Sequence, residues 1–131
     1  MTEHLGREFN VPVNFTAEGT PFALTHPRAH DLLMVAREAV FNALVRGNPS
    51  HVDLSLTYGA EGVTLRVLDD GCGFSARPED DKRNHHFGLE GMRERIERSG
   101  GKFSLRSKPG RGVLIEANIG RMEQVVHRKG D

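Results

Sequence analysis

Residues 63–73 read VTLRVLDDGCG, and this stretch decides how the rest of the chain is arranged. Val63, Leu65 and Val67 alternate with polar residues, which is typical of a strand with one buried face. The alternation continues to Asp69, so its carboxylate is predicted to lie on the apolar face at the end of the strand. A carboxylate in that position is costly unless a hydrogen-bond donor meets it, either from the protein or from a ligand.

Two glycines, Gly71 and Gly73, directly follow the acidic pair. Glycine accepts positive φ and lets another group come close to the backbone, so the stretch predicts one wall of a small-molecule pocket. Read alone, it also fits an ordinary Asp-Gly turn. It does not fit a calcium loop, because Cys72 and Phe74 occupy positions where oxygen ligands are needed.

A helix is predicted over residues 30–46, where apolar residues recur at helical spacing. Glu38, Asn42 and Arg46 are four residues apart and therefore share one face. An amide oxygen can complete the coordination of Mg²⁺, an arginine can neutralise phosphate charge, and a glutamate can accept a proton or orient a nucleophile. The alternative is a solvated ladder of side chains, which is common on exposed helix faces.

A second helix is predicted over residues 88–99, with Gly88 and Gly91 flanking its start and Gly100-Gly101 ending it. Backbone N–H groups at a helix N-terminus bind phosphate, and missing side chains allow close approach. The alternative is a simple glycine cap. His85 and His86 precede the helix, but no other histidine or cysteine stands at ligand spacing, so a metal-histidine site is not expected.

The order of these elements predicts the fold class. Alternating apolar residues indicate further strands, and Pro12 places the first of them at a sheet edge. The expected architecture is a two-layer α/β sandwich, a mixed and mostly antiparallel sheet with helices on one face. Residues 75–87 are polar and without period, which indicates a lid or binding loop. In addition to the strand that ends at Asp69, strands are predicted at residues 11–16, 52–56, 103–105 and 113–119.

The composition excludes several classes of protein. The chain has 131 residues, enough for one domain, with 18 basic and 18 acidic side chains. Its formal charge of zero does not call for nucleic acid or an anionic membrane. Cys72 is the only cysteine, so no internal disulfide forms. No apolar run approaches the length of about 20 residues that a membrane helix needs.

Taken together, the three stretches resemble the ATP-binding domain of sensor histidine kinases, within the Bergerat fold group that includes gyrase B, MutL-type repair proteins and the heat-shock chaperone. Residues 37–44 (REAVFNAL) resemble the N box, and residues 67–74 (VLDDGCGF) resemble the first glycine box. Residues 86–95 (HFGLEGMRER) resemble the second glycine box, and residues 107–112 the closing turn. The sequence of the second box is similar to that found in the subfamily of kinases that is paired with response regulators of the nitrate-response type.

The resemblance implies roles for the matching residues. Asp69 is expected to accept a hydrogen bond from the adenine amino group, Asn42 to bind Mg²⁺ and Arg46 to reach toward the phosphates. Glu38 matches the catalytic carboxylate. ATP and Mg²⁺ are the implied cofactors, and residues 75–87 become a lid that is mobile without nucleotide. The other implied nucleotide-binding residues belong to the glycine boxes and the closing turn: Gly71, Gly73, Phe87, Gly88, Leu89, Gly91 and Gly112.

The resemblance also implies partners that lie outside the sequence. No histidine stands in the phosphoacceptor pattern, so the dimerisation and phosphoacceptor helices are expected before residue 1. Residues 1–10 would be a preceding helix end or linker, residues 11–119 the catalytic domain, and residues 120–131 a polar tail. This domain is expected to phosphorylate a histidine of the same homodimeric kinase, which then serves a response regulator, and not to phosphorylate itself efficiently. The expected location is the cytoplasmic part of a membrane-bound sensor, with no direct nucleic-acid contact.

Two departures from the family pattern keep other functions open. Arg46-Gly47 replaces the more usual His-Ala after the N box, and Val113 stands where many relatives have threonine. The lost hydroxyl is expected to weaken nucleotide affinity without abolishing it. The alternatives are a regulator and serine kinase of the anti-sigma-factor type, and a docking domain that binds no nucleotide.

Overall fold

A five-stranded sheet forms one layer of the protein. The computed structural model describes residues 10–73 and 88–120. The strands lie in the order β1-β2-β3-β5-β4; β1 is parallel to β2 and all other neighbours are antiparallel. The predicted mixed, mostly antiparallel sheet is therefore confirmed. The strand bounds are β1 Val13–Glu18, β2 Val52–Gly59, β3 Gly62–Asp69, β4 Lys102–Ser107 and β5 Val113–Ile119.

Two helices form the second layer, on one face of the sheet. They are α1 (His26–Asn42) and α2 (Leu89–Arg98). The alternation that predicted β3 is observed, because Val63, Leu65 and Val67 are all buried beneath the helices. A single core forms from these inward residues and the apolar stripes of both helices. Its members without exposed surface include Val35, Val40, Val52, Ile96 and Ile119.

The end of the first helix differs from the prediction. Regular α-helix ends at Asn42, and Ala43–Gly47 form a π-helical turn instead of continuing the helix to Arg46. Asn48 then takes a left-handed conformation with φ of 48° and stops the helix, a position that asparagine tolerates better than most residues. Single π-helical turns are frequent at functional sites. The helix begins at His26, and Pro27 lies in its first turn, where its fixed φ and missing N–H are tolerated.

The other boundaries follow local chemistry. β1 begins at Val13, two residues later than predicted, but Pro12 lies next to the edge strand as expected, and its carbonyl accepts a hydrogen bond from Val52 N at 3.0 Å. At the end of α2, Gly101 N donates to Ile96 O at 2.9 Å and Gly100 N to Glu97 O at 3.0 Å. This paired pattern closes the helix where the two glycines predict it.

Several predictions fall outside the described residues. The linker or preceding helix at residues 1–10 is described only at Asn10, and the lid at residues 75–87 is not described. The polar tail at residues 120–131 is described only at Gly120. In the described part of the chain, neither helix is both long enough and apolar enough to cross a membrane.

A buried acid joins the two helices. Asp31 of α1 is 7% exposed and accepts a hydrogen bond from Arg95 Nη1 of α2 at 3.2 Å. The Ser99 hydroxyl at the end of α2 also donates to Asp31. Burial raises the pKa of Asp31, but the hydrogen bonds from Ser99 and Arg95 outweigh it and leave this pKa below its usual value. The ionised carboxylate thus holds α2 against α1.

We expect Asp31→Asn to lower the free energy of unfolding by about 2 kcal/mol at neutral pH, because Arg95 and Ser99 lose their charged acceptor. The folded-state pKa lies below the unfolded value, so this contribution is present above the unfolded pKa and is lost as pH falls through the folded one. Urea unfolding of both proteins from pH 7 to acid should therefore show converging stabilities.

Glu61→Gln is the matched control, since Glu61 is an exposed acid in the β2–β3 turn. Its stability should stay within about 0.5 kcal/mol of the parent. Equal losses for the two variants, or a difference that persists unchanged in acid, would contradict the role of the Asp31 charge.

Candidate functional site

A cleft opens where the end of α1, the end of β3, the start of β5 and the start of α2 meet. The space free of protein atoms, counted together with the open solvent at its mouth, is about 440 Å³. Its walls are largely apolar, with a few polar groups, as is typical of small-molecule sites. The lining residues are Ala39, Asn42, Ala43, Arg46, Gly47, Val67, Asp69, Gly73, Leu89, Val113 and Ile115.

Asp69 is the buried acid of this cleft. It is the last residue of β3 and is 5% exposed, as the alternation predicts. Its Oδ1 accepts a hydrogen bond from Gly71 N at 2.8 Å. Burial raises the pKa of Asp69, and the backbone groups of Gly71 and Val113 only partly offset this effect. The carboxylate is therefore provided with fewer donors than its burial demands, and an external donor in the cleft would stabilise it.

The glycines beside Asp69 pack backbone against backbone. A Cβ at Gly71 would overlap the carbonyl oxygen of Gly47, and one at Gly73 would overlap that of Lys108. Gly112 has φ of +81°, and a Cβ there would overlap the carbonyl oxygen of Asp69. The first glycine box is thus held between the π-helical turn and the closing turn. These glycines shape the site because a residue without a Cβ lets two backbone segments of the chain approach closely.

Asp70 clamps the loop that follows the π-helical turn. Its Oδ1 accepts hydrogen bonds from Ser50 N at 2.9 Å and His51 N at 3.1 Å. The Ser50 hydroxyl donates to its other oxygen. The Ser50 hydroxyl and the backbone N–H of His51 lower the pKa of Asp70 to about 2. The clamp fixes the position of Gly47, whose carbonyl accepts from Cys72 N at 2.8 Å.

Glu38 lies beside the start of α2. Gly88 precedes that helix in a left-handed conformation with φ of +69°, and a Cβ added to it would lie 2.8 Å from Glu38 Oε1. Glu38 is half-buried but is not among the residues that line the cleft. The structure therefore places the candidate catalytic carboxylate against the second glycine box.

The structure brings most of the predicted site residues together. Asn42, Arg46, Asp69, Gly73 and Leu89 line the cleft. The others lie around it: Gly71 and Gly112 are buried behind Asp69, Glu38 and Gly88 adjoin each other, Gly91 is exposed on α2, and Phe87 is outside the described residues.

Sequence reasoning missed some residues of the site. The walls formed by Ala39, Ala43, Val67 and Ile115 were assigned only to the core, although Ala39 and Ala43 stand one helical turn apart beside Asn42. Asp70 was not singled out, because its partners Ser50 and His51 are 20 and 19 residues away in sequence.

Alanine substitutions distinguish a glycine that packs against backbone, Gly73, from a glycine with open space around it, Gly91. Gly73→Ala introduces a Cβ against the carbonyl oxygen of Lys108 at a residue with φ of +65°, so we expect a loss of stability of about 2 kcal/mol or more. A Cβ at Gly91 meets nothing within 4 Å, and this residue is helical. Gly91→Ala should therefore stabilise the domain by about 0.5–1 kcal/mol. Thermal unfolding of the two variants measures both effects. A stable Gly73→Ala protein would contradict the close packing of the first glycine box.

The sequence was compared with those of known proteins and protein families. Residues 28–121 match the family model of histidine kinase-, DNA gyrase B- and HSP90-like ATPases. The chain is 34% identical over 88 residues to the signal transduction histidine-protein kinase/phosphatase DegS of Bacillus subtilis, covering 67% of this chain and 23% of DegS. It is 32% identical over 113 residues to the nitrate/nitrite sensor protein NarX of Escherichia coli, covering 86% of this chain and 18% of NarX. The chain thus spans less than a quarter of each relative.

Two solved structures illustrate the shared fold. The ATP-binding domain of PrrB from Mycobacterium tuberculosis aligns with a TM-score of 0.66 at 19% identity, covering 91% of this chain and 88% of that one. The blue-light activated histidine kinase of Erythrobacter litoralis EL346 aligns with a TM-score of 0.70 at 16% identity, covering 95% of this chain and 41% of that one. At these identities the likeness establishes the fold, and the expected two-layer α/β architecture is confirmed.

Proposed function

The chain belongs to the family of histidine kinase-, DNA gyrase B- and HSP90-like ATPases, and from that premise we propose that it binds ATP in the cleft as the catalytic domain of a two-component sensor histidine kinase. The relatives that match it over most of its length are sensor kinases, including the nitrate sensors anticipated from the second glycine box. One observation carries the proposal: the buried carboxylate of Asp69, which only backbone groups support and whose pKa is raised by burial, lies at the wall of an apolar cleft.

Adenine fits that environment. Its flat ring matches a cleft walled by Ala43, Val67, Leu89 and Ile115, and its amino group is a donor for Asp69. The Gly71 N–H occupies one side of Oδ1, so the carboxylate keeps acceptor capacity for the ligand. Val113 carries no hydroxyl into the cleft, and its backbone supports the Asp69 carboxylate instead.

In this proposal Asn42 and Arg46 serve the phosphate end of the nucleotide. Both line the same cleft, one from the last residue of α1 and one from the π-helical turn. The described residues contain no group of three or more His, Cys, Asp and Glu side chains that could hold a metal ion. Mg²⁺ usually takes one or two protein oxygens and completes its shell with phosphates and water. Asn42 would supply such an oxygen, and the metal would neutralise phosphate charge.

The proposed reaction is transfer of the γ-phosphate to a histidine on a separate dimerisation and phosphoacceptor domain. Phosphoryl transfer depends on positioning and charge neutralisation. Glu38 adjoins Gly88 at the start of α2, and there it would orient the incoming group. In this proposal residues 11–119 are the catalytic domain and residues 75–87 its lid. The full-length kinase would be a homodimer that serves a response regulator, with this domain in the cytoplasm.

Titration calorimetry with ATP and ADP, with and without Mg²⁺, tests nucleotide binding directly. One saturable site, strengthened by Mg²⁺ for ATP, is the expected result. The absence of binding at millimolar nucleotide would reject the proposal for this chain. A phosphoacceptor domain supplied with radiolabelled ATP then tests the transfer itself.

Asp69→Asn should weaken ATP binding about 10-fold to 100-fold, because an amide nitrogen replaces an oxygen that accepts from adenine. Asp69 has a raised pKa, so its charge lowers stability above the unfolded pKa. The variant without nucleotide should therefore melt no lower than the parent at neutral pH. Calorimetry and thermal unfolding measure the two effects separately.

The pH dependence of adenosine binding is a second test of Asp69. Adenosine has no titrating phosphates, and its affinity should fall as pH decreases through the raised pKa of Asp69. Asp53→Asn, on the opposite face of the sheet, is the control and should bind adenosine like the parent. A collapse of the fold in Asp69→Asn with adenosine affinity per folded molecule unchanged would contradict the adenine role.

Asn42→Ala should remove most of the increase in ATP affinity that Mg²⁺ provides, since the metal loses its protein oxygen. Adenosine affinity should stay within about twofold of the parent, because no phosphate or metal is involved. Phe41→Ala, an exposed neighbour on α1, is the control. Equal losses of ATP affinity with and without Mg²⁺ would show that Asn42 does not serve the metal.

A further inference from the structure

The outer face of the sheet, which points away from both helices, is mostly polar and satisfied by its own pairs. Asn118 Nδ2 donates to Thr64 Oγ1 at 2.9 Å, and Arg66 Nε lies 3.6 Å from Glu116 Oε2. Asn14 Nδ2 donates to Asp53 Oδ1 at 3.2 Å. This is the arrangement expected of an antiparallel sheet with one face in water.

One row of this face breaks the pattern. Leu68 of β3 is paired with Leu114 of β5, which is paired with Arg106 of β4. Leu68 is 47% exposed. Apolar positions on a solvated sheet face are otherwise avoided here, so two adjacent leucines are informative. They form the floor of an open depression with about 570 Å³ of space free of protein atoms.

Three cations surround these leucines. Arg106, Lys108 and Arg111 line the same depression and are exposed. Within residues 10–73 and 88–120, none of the three takes part in a salt bridge. The acids nearest on the sheet are already engaged, Glu116 by Arg66 and Asp53 by Asn14 and His51. The chain as a whole has no net charge, so this local excess of positive charge is not a consequence of composition.

We propose that these five residues, Leu68, Leu114, Arg106, Lys108 and Arg111, form a docking surface for an acidic protein segment that carries an apolar side chain. The two leucines would pack against that apolar side chain, and the three cations would form ion pairs with the carboxylates of the acidic segment. We call these residues the outer basic patch.

The chemistry of the patch favours a protein segment over other anions. Single-stranded nucleic acid is held by aromatic side chains on which bases stack, and none of the described residues that line the depression is aromatic. An anionic bilayer is bound by a wide apolar helix face with cations beside it, whereas here the apolar surface is two leucines in a depression. A carboxylate-rich segment with a leucine matches both halves of the patch.

The outer basic patch lies on the opposite face of the sheet from the cleft, and Val113 at the start of β5 borders both. Asp69, Val67 and Ile115 point to the helix side of the sheet, and Leu68 and Leu114 point to the other side. Docking here therefore does not require an empty cleft, and the proposal does not depend on nucleotide binding.

The test uses a short fluorescein-labelled peptide in which pairs of glutamates alternate with single leucines. Its binding to the whole chain is followed by fluorescence polarisation at several salt concentrations and mapped by amide chemical shifts. We expect salt-sensitive binding, with shifts at Leu68, Leu114, Arg106 and residues 108–112. Arg106→Glu should raise Kd about tenfold or more, since it places a like charge against the peptide.

Lys102→Glu is the matched control for Arg106→Glu. Both residues are exposed on β4 and share one face, and they are four positions apart, about 13 Å along the strand. This exceeds the screening length at physiological salt, so Kd should change by less than about twofold. Leu68→Ser should raise Kd about fivefold for the leucine peptide and leave it unchanged for a peptide with alanine in place of leucine.

Four results would overturn the proposal. The first is the absence of peptide binding by the parent chain. The second is an equal effect of Lys102→Glu and Arg106→Glu, which would indicate diffuse charge alone. The third is displacement of the peptide by saturating ATP, with shifts in the cleft near Arg46. The fourth is tighter binding of an oligonucleotide or of phosphatidylserine vesicles through the same five residues.

Discussion

The buried carboxylate of Asp69 is the constraint on which the site depends. The alternation of β3 turns this side chain toward the helices, where it is only 5% exposed and its charge is costly. The chain supplies the Gly71 N–H at 2.8 Å and the backbone of Val113, and these do not compensate for burial, since the pKa remains raised. A protein optimised for stability alone would not keep such a group. Its retention at the wall of a cleft is understandable if a ligand supplies the missing donor.

Close backbone packing makes that arrangement rigid. Gly71 and Gly73 allow the chain after β3 to pass between the π-helical turn and the closing turn. Asp70 fixes the loop after the π-helical turn through Ser50 and His51. Neighbouring acids thus have different tasks because their surroundings differ. Asp69 is buried, and its pKa is raised. Asp70 is exposed and well supplied with hydrogen-bond donors, and its pKa is lowered to about 2.

The two helices that carry the polar groups of the site are held together away from the cleft. Asp31 at the start of α1 binds Arg95 and Ser99 at the end of α2. Because helices are stiff, a fixed contact between them at that end constrains Glu38 and Gly88, which adjoin at the other end. The contacts of Asp31 with Arg95 and Ser99 and the geometry of the candidate site are therefore linked through the helix pair.

Sequence by itself determined the elements and the direction of their side chains, because periodicity is a local property of the chain. Alternation placed Asp69 inward, and helical spacing placed Asn42 and Arg46 on one side. Pro12 indicated that the first strand lies at the sheet edge, and Gly100 and Gly101 indicated where α2 ends. Only the tertiary structure decided which residues meet across the fold. Asp31 and its partners are 64 and 68 residues apart, and Leu68 joins Leu114 and Arg106 through strand order. No local pattern encodes such contacts, since they depend on how β3, β5 and β4 are ordered in the sheet.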